Sequence, residues 1–231
     1  MLERLLHIGA FVPVTQVGRV AALAGADREV VVARYRVGLE TRERILAATR
    51  RVLAEVGIEG VTIKAITDQA SVGAGSFYNL FDSKEDAIFE VIRHAIEAVD
   101  PDPAGQGTDT LPDLVDAFVT FFVDSRPIAR IYLQLALARG LTDARVADRI
   151  ARSHERRVER FADAWQRHDR AVDGEEARAR AELMLGALMG LGLNALVDDR
   201  FDLRAHAARL LPTAAAVPAD GHAPRPAGAA R

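Results

Sequence analysis

The chain has 231 residues, 49% of them hydrophobic and 27% charged, with a net charge of −3. That composition suits a globular protein with its own core, enough for one large or two small domains. The absence of cysteine excludes disulfides, thiolate metal sites and a cysteine nucleophile, while a whole-chain charge this small neither favours nor excludes nucleic acid, since only the touching face must be positive.

Taken in chain order, the first residues, Met1 to Val14, are apolar in places, but Glu3, Arg4 and His7 interrupt them. No small-residue cleavage site follows, so no secretory signal is read and a cytoplasmic protein is expected. Val17 to Gly25 reads as a short amphipathic helix ending at glycine. Asp27 is placed as the cap of a second, and Arg34 to Leu39 follows.

Ile45, Thr49, Val52, Leu53 and Val56 recur at three and four residues. They predict a helix over about 41–56, capped by Thr41 and ended by Gly57 in a left-handed conformation. Val61, Ile63, Ile66 and Ala70 predict a short second helix with Thr62 as N-cap, followed by a turn over Ser71, Val72 and Gly73. A third runs from about Ala74 to Phe81. Ser83 caps a fourth, with Asp86 placed to return the hydrogen bond. Residues 100–112, rich in Pro, Gly, Asp and Thr, read as a loop. Helices are expected near 112–124, 127–139, 143–170, 175–198 and 202–211, and residues 212–231 read as a disordered tail. Strand-like alternation is scarce, so the fold class is all-α.

Three short helices with tight turns fit any small helical bundle. The third adds detail: Ser76, Tyr78 and Asn79 interleave with the core candidates Phe77, Leu80 and Phe81, and Gly73, Ala74 and Gly75 stand at its start. Small residues there let a helix approach DNA, and hydroxyl and amide groups meet base edges or phosphates. The run Thr62-Ile-Lys-Ala-Ile-Thr-Asp-Gln-Ala-Ser-Val-Gly-Ala-Gly-Ser-Phe-Tyr-Asn-Leu-Phe-Asp-Ser-Lys-Glu85 resembles the DNA-binding signature of TetR-type regulators, and Thr41-Arg-Glu-Arg-Ile-Leu-Ala-Ala resembles the helix before it. The close likeness covers about residues 41–95.

The resemblance implies a three-helix helix-turn-helix domain over 39–99 and a helical ligand-binding and dimerisation domain over 110–211, with residues 1–38 as an extension. It also implies a homodimer that binds a palindromic double-stranded operator as a repressor and leaves when a small molecule binds. Carried over by position, Thr62, Tyr78 and Lys84 meet phosphates, Gly75, Ser76, Phe77 and Asn79 face the major groove, and Arg42 and Lys64 add phosphate contacts. The blander reading makes Phe77 and Phe81 core residues, Thr62 only a cap and Lys84 a solvated lysine. Three departures stand out: Ser71 where the family has Gly, Gly73 where it has Ser, and Leu80 where it has His. The first two leave open a different handedness of the turn. Residues 17–39 also resemble the start of a MerR-type helix-turn-helix. A second DNA-reading element, a packing extension and an over-long start of translation are the three readings of that segment.

The C-terminal half shows no Gly-x-Ser-x-Gly, P-loop or dinucleotide glycine pattern, so no enzyme, cofactor or metal is expected. His154 and His168 read as solvated, and Asp198-Asp199 as a polar helix end. Leu183 to Val197, 15 residues, falls short of the roughly 20 of a membrane span and reads as a buried helix. Gly186, Gly190 and Gly192 cost about 1 kcal/mol each inside a helix, relative to Ala. Close approach of a second helix is the physical offset. The resemblance makes this the dimer face, with Gly186, Gly190, Leu193 and Leu196; an internal core helix is the alternative. Phe118, Phe121, Phe122, Tyr132, Trp165, Met184 and Met189 are candidates for lining a pocket for an apolar or amphipathic ligand. A helical small-molecule-binding protein without DNA binding is the alternative function.

Overall fold

A computed structural model describes residues 25–212, with side chains from residue 35 onward. The expected helix over Val17–Gly25 and the expected disordered tail therefore fall almost wholly outside the described residues. The helices are α1 (Gly25–Gly60), α2 (Ile63–Ala70), α3 (Ala74–Tyr78), α4 (Lys84–Glu97), α5 (Leu111–Asp124), α6 (Arg126–Ala138), α7 (Ala144–His168), α8 (Gly174–Val197) and α9 (Leu203–Ala208). No strand occurs among the described residues. The chain divides into two units after Arg93, inside α4.

In the first unit, α1 departs from expectation at its start. Thr41 is not a cap: it lies inside a helix that already runs from Gly25, and its hydroxyl donates to the Val37 carbonyl. Asp27 likewise lies within α1, so the extension joins the expected first helix without a turn. The other end behaves as its sequence dictates. Gly57 takes φ 66°, a left-handed conformation that suits a residue without a Cβ, and the helix kinks there. Ile45, Val52 and Leu53 are buried, as is Thr49, whose hydroxyl is satisfied by the Ile45 carbonyl at 2.8 Å. Val56 turns outward instead.

Thr62 caps α2 by accepting from the Ala65 N–H at 3.1 Å. The helix ends in a Schellman arrangement: Ser71 N–H donates to Asp68 O and Val72 N–H to Thr67 O. Ser71 adopts φ 53°, ψ 48°. The turn therefore keeps the left-handed residue that a glycine would supply, and serine carries the conformational cost. Ser83 begins α4 by accepting from the Asp86 N–H and donating its hydroxyl to the Asp86 carboxylate.

The second unit is an all-helical body in which α7 and α8 pack most extensively. Thr110 and Asp113 form a capping box at the start of α5, with Pro112 in its first turn. Asp143, Asp173 and Asp202 cap α7, α8 and α9. The core gathers Leu111, Val119, Leu135, Val158 and Leu188. Among the described residues, one helix, α8, is long and apolar enough to cross a membrane, and 28% of its most apolar window is buried.

Candidate functional site

The helix-turn-helix is α2, the Ser71–Gly73 turn and α3. What orients α3 is Phe77. Its side chain is 0% exposed, its ring lies 5.5 Å from Phe81 and 5.8 Å from Tyr78, and full burial of such a ring is worth about 1.5–3 kcal/mol. The expectation that Phe77 faces a groove is therefore corrected: it is the anchor that faces the core. Successive helical residues turn by about 100°, so its neighbours point elsewhere. Tyr78 is 57% exposed, Asn79 and Gly75 are exposed, and Ser76 is half-buried. No atom lies within 4 Å of where a Cβ would stand on Gly75. Gly73 caps α3 without a side chain.

The cations expected at phosphates divide. Arg42 is joined to Glu90 at 2.8 Å and stacks over Phe81, its Cζ 5.4 Å from the ring centre. Burial opposes the charge on Glu90, but hydrogen bonds from Arg93 and Arg42 outweigh it and hold the carboxyl below its usual range. Arg42 therefore ties α1 to α4. Lys84 donates to the Val61 carbonyl at 2.7 Å and pins the start of α4 to the residue before Thr62. Lys64 is exposed, in an i,i+4 pair with Asp68 at 2.5 Å. The exposed Thr62 accepts from Ala65 N–H, which leaves its own hydroxyl proton free to donate outward.

In the second unit, four of the seven expected pocket residues come together. Phe118, Phe121, Phe122 and Tyr132 line a cavity of about 100 Å³, joined by Phe161 and Leu185. Phe118 and Phe122 stack with centres 4.6 Å apart. Trp165 and Met184 instead line a separate open groove with Arg180, Leu183 and Leu210, and Met189 lines neither. The Trp165 Nε1 is buried without an acceptor.

Sequence reading missed the polar end of the cavity. Arg157 donates to the Tyr132 hydroxyl at 2.6 Å and to the Ser153 carbonyl at 3.2 Å. Arg160 holds Asp100 with two bonds, at 2.6 and 3.2 Å, and also pairs with Asp109. The Asp109 side chain is 1% exposed and pairs with Arg167 at 2.8 Å as well. The Arg160 hydrogen bonds hold the Asp100 carboxyl below its ordinary range, and the Asp100 hydrogen bond raises Arg160 above its own. The loop expected over 100–112 is thus clamped at both ends by α7, in pairings 51 to 60 residues apart in sequence.

The three glycines of α8 separate. A Cβ on Gly192 would stand 2.5 Å from the Phe122 ring, so that glycine serves packing inside the subunit. Gly186 and Gly190 have nothing within 4 Å. They alternate with Leu183, Leu193 and Val197 at spacings of three and four, and all five are exposed, Leu183 by 76% and Val197 by 79%. The expectation that Leu183–Val197 is a buried helix is corrected: one face packs inward through Met184, Leu185, Leu188, Gly192 and Ala195, and the other is an uncovered apolar stripe. Leu196 is half-buried beside that stripe, and its carbonyl accepts from Arg126 at 3.3 Å.

Comparison with known proteins bears on these surfaces. Residues 45–91 match the profile of bacterial regulatory proteins of the tetR family. Over 57 residues the chain is 39% identical to an uncharacterized HTH-type transcriptional regulator encoded in the lacX 3′ region of Lactococcus lactis subsp. lactis; the match covers 25% of this chain and 29% of that protein. A solved transcriptional regulator of the TerR/AcrR family from Aquifex aeolicus VF5 is similar in fold, with TM-score 0.54 and 23% identity over 74% of this chain and 95% of that one. SmeT, the repressor of the Stenotrophomonas maltophilia multidrug efflux pump SmeDEF, aligns with TM-score 0.55 and 16% identity over 74% of this chain and 88% of its own.

Proposed function

We propose that this chain, whose residues 45–91 match the tetR family profile, is a TetR-type homodimeric repressor that binds a palindromic DNA operator in the cytoplasm and leaves it when a small molecule fills the second unit. The observation that carries the reading is the set of groups around Phe77. With that ring driven into the core, Tyr78, Asn79 and Gly75 stand outward on a short helix whose first turn has no side-chain cap. Tyr78 and Thr62 offer hydroxyl protons to phosphates. Asn79 offers an amide to a base edge, and Gly75 lets the backbone come close. Lys64 and the remaining protons of the Lys84 ammonium add charge. Arg42, held by Glu90 and Phe81, supports the domain and does not contact the DNA.

A palindrome requires two heads at a fixed spacing, and the stripe on α8 supports a second copy as its cover. Leu183, Leu193 and Val197 supply apolar surface, and Gly186 and Gly190 let a partner helix approach. A chain carrying this stripe bare would expose an apolar row of a kind that soluble monomers avoid.

Release follows from linkage. A ligand shifts the dimer between two conformations only by its difference in affinity for them. The chain passes from the first unit to the second within α4, and Ile96 of that helix lines the cavity. That makes α4 the element through which occupancy acts.

Footprinting on the DNA upstream of the protein's own gene tests the reading. A protected palindrome with half-sites about one helical turn apart is expected, and Tyr78→Phe is expected to weaken it by about the same factor at every salt concentration, since no charge is removed. Unprotected DNA, or full affinity of Tyr78→Phe at several salt concentrations, counts against it.

A further inference from the structure

The cavity has an apolar wall and a charged end, and the charges at that end do not cancel. Of the charged residues that line the cavity, the two guanidiniums of Arg157 and Arg160 outnumber the one carboxylate of Asp100; Arg160 pairs with Asp100 and with Asp109, and Asp109 is also held by Arg167. Both carboxylates are taken by Arg160 and Arg167. The surplus positive charge falls on Arg157, whose partners are neutral: the Tyr132 hydroxyl, the Ser153 carbonyl and the face of the Tyr132 ring, 5.5 Å from Cζ to centre. Positions three and four residues away on α7 are Ser153, His154, Arg160 and Phe161, none of them acidic. Asp102, in the nearby loop, accepts from the backbone N–H groups of Gln106 and Gly107.

A half-buried guanidinium beside aromatic walls is poorly solvated, and an anion is the partner that would relieve it. Tyr132 adds a second donor. Its oxygen accepts from Arg157, and its proton has no acceptor among the described residues. Two donors thus converge at one end of a cavity otherwise lined by Phe118, Phe121, Phe122, Phe161 and Leu185. An ammonium ligand would have to strip Asp100 from a two-bond grip by Arg160.

We infer that the effector is a small amphipathic organic acid, with its carboxylate between Arg157 and the Tyr132 hydroxyl and its hydrocarbon part among the phenylalanines. This rests on the reading of the second unit as a sensor and narrows the chemistry of its ligand.

The test is calorimetric titration of the full chain with matched probes: benzoate, benzamide and benzylamine, then hexanoate and octanoate against their amides. The expected result is a carboxylate that binds at least tenfold more tightly than its own amide. Arg157→Met should erase that preference by weakening carboxylate binding far more than amide binding, and Arg157→Lys should keep part of it. Ala117→Phe, which fills the apolar part of the cavity, should abolish binding of carboxylate and amide alike. Equal affinity for acid and amide, preference for benzylamine, a preference that survives Arg157→Met, or no binding by any probe overturns the inference. Operator binding by the ligand-free protein is scored separately. DNA binding without acid preference removes this inference alone, whereas acid preference without DNA binding removes the repressor and leaves the site.

Discussion

Adding one methyl group to α8 separates a partner-facing glycine from an internal one. At Gly186 and Gly190 a new Cβ meets nothing within 4 Å in the protomer. In a helix interior, alanine is favoured over glycine by about 1 kcal/mol. Each of Gly186→Ala and Gly190→Ala should therefore stabilise an isolated protomer by about that amount. If a second copy covers the stripe, symmetry places the added methyl on both sides of a close helix contact. Overpacking of this kind costs roughly 1–3 kcal/mol, which raises the dimer dissociation constant by about tenfold to a hundredfold. Sedimentation over a concentration series reads the association. Melting at a concentration where the chain is monomeric reads the protomer, because melting of a dimer mixes the two. Opposite signs in the two measurements are expected. A stabilised protomer with unaltered dimerisation would refute the stripe as the interface.

Gly192→Ala should behave in the opposite way: its Cβ would press on the Phe122 ring at 2.5 Å, so a loss of about 1–3 kcal/mol in protomer stability is expected from thermal melting. Ser71→Gly should stabilise the first unit by about 1 kcal/mol, since relief of a left-handed serine outweighs the extra freedom glycine gives the unfolded chain. Slower hydrogen exchange at Val72, whose N–H closes the turn, is the measurement. Asp100 has its pKa lowered in the folded state, chiefly by the hydrogen bond from Arg160. Its contribution to stability is therefore full above the unfolded carboxylate range, about pH 4, and is lost as pH falls below it. Asp100→Asn should flatten that acid limb in urea titrations run at several pH values.

Much of this was legible from local chemistry. Thr62 caps α2, Gly57 turns left-handed and Ser83 faces Asp86 because these signals act within four residues. The Thr41 cap failed for a related reason. A threonine before an apolar run resembles a cap, but nothing between Gly25 and Thr41 breaks the helix: no proline occurs there, and Gly38 alone only weakens it. Assigning Phe77 to the same groove as Ser76 and Asn79 overlooked the helical turn itself: Ser76 and Asn79 are three apart and share a face, whereas Phe77 is turned about 100° from Ser76. The seven pocket candidates divided because spacing places residues on a helix face without saying which neighbour covers it. The Asp109 clamp was out of reach, since it joins α7 to residues more than fifty positions away and leaves no periodic trace.

The three proposed surfaces share one physical logic. Folding satisfies most polar groups and covers most apolar ones, and what it leaves unmet has to be met by something else. On α3 the unmet groups are outward donors, held in place by a phenylalanine that contacts no partner itself. In the cavity it is one positive charge, Arg157, that has no carboxylate of its own beside the Arg160–Asp100–Asp109–Arg167 network, next to a phenol proton without an acceptor among the described residues. On α8 it is an apolar row interrupted by two glycines that pack against nothing, while a third, two residues on, packs tightly. Neither the charge nor the glycines help the isolated protomer: an unpaired guanidinium costs solvation and a bare glycine weakens its helix. Each becomes favourable only when its partner arrives, and that is why the same features that weaken the protomer point to an acid in the cavity and a second copy on the stripe.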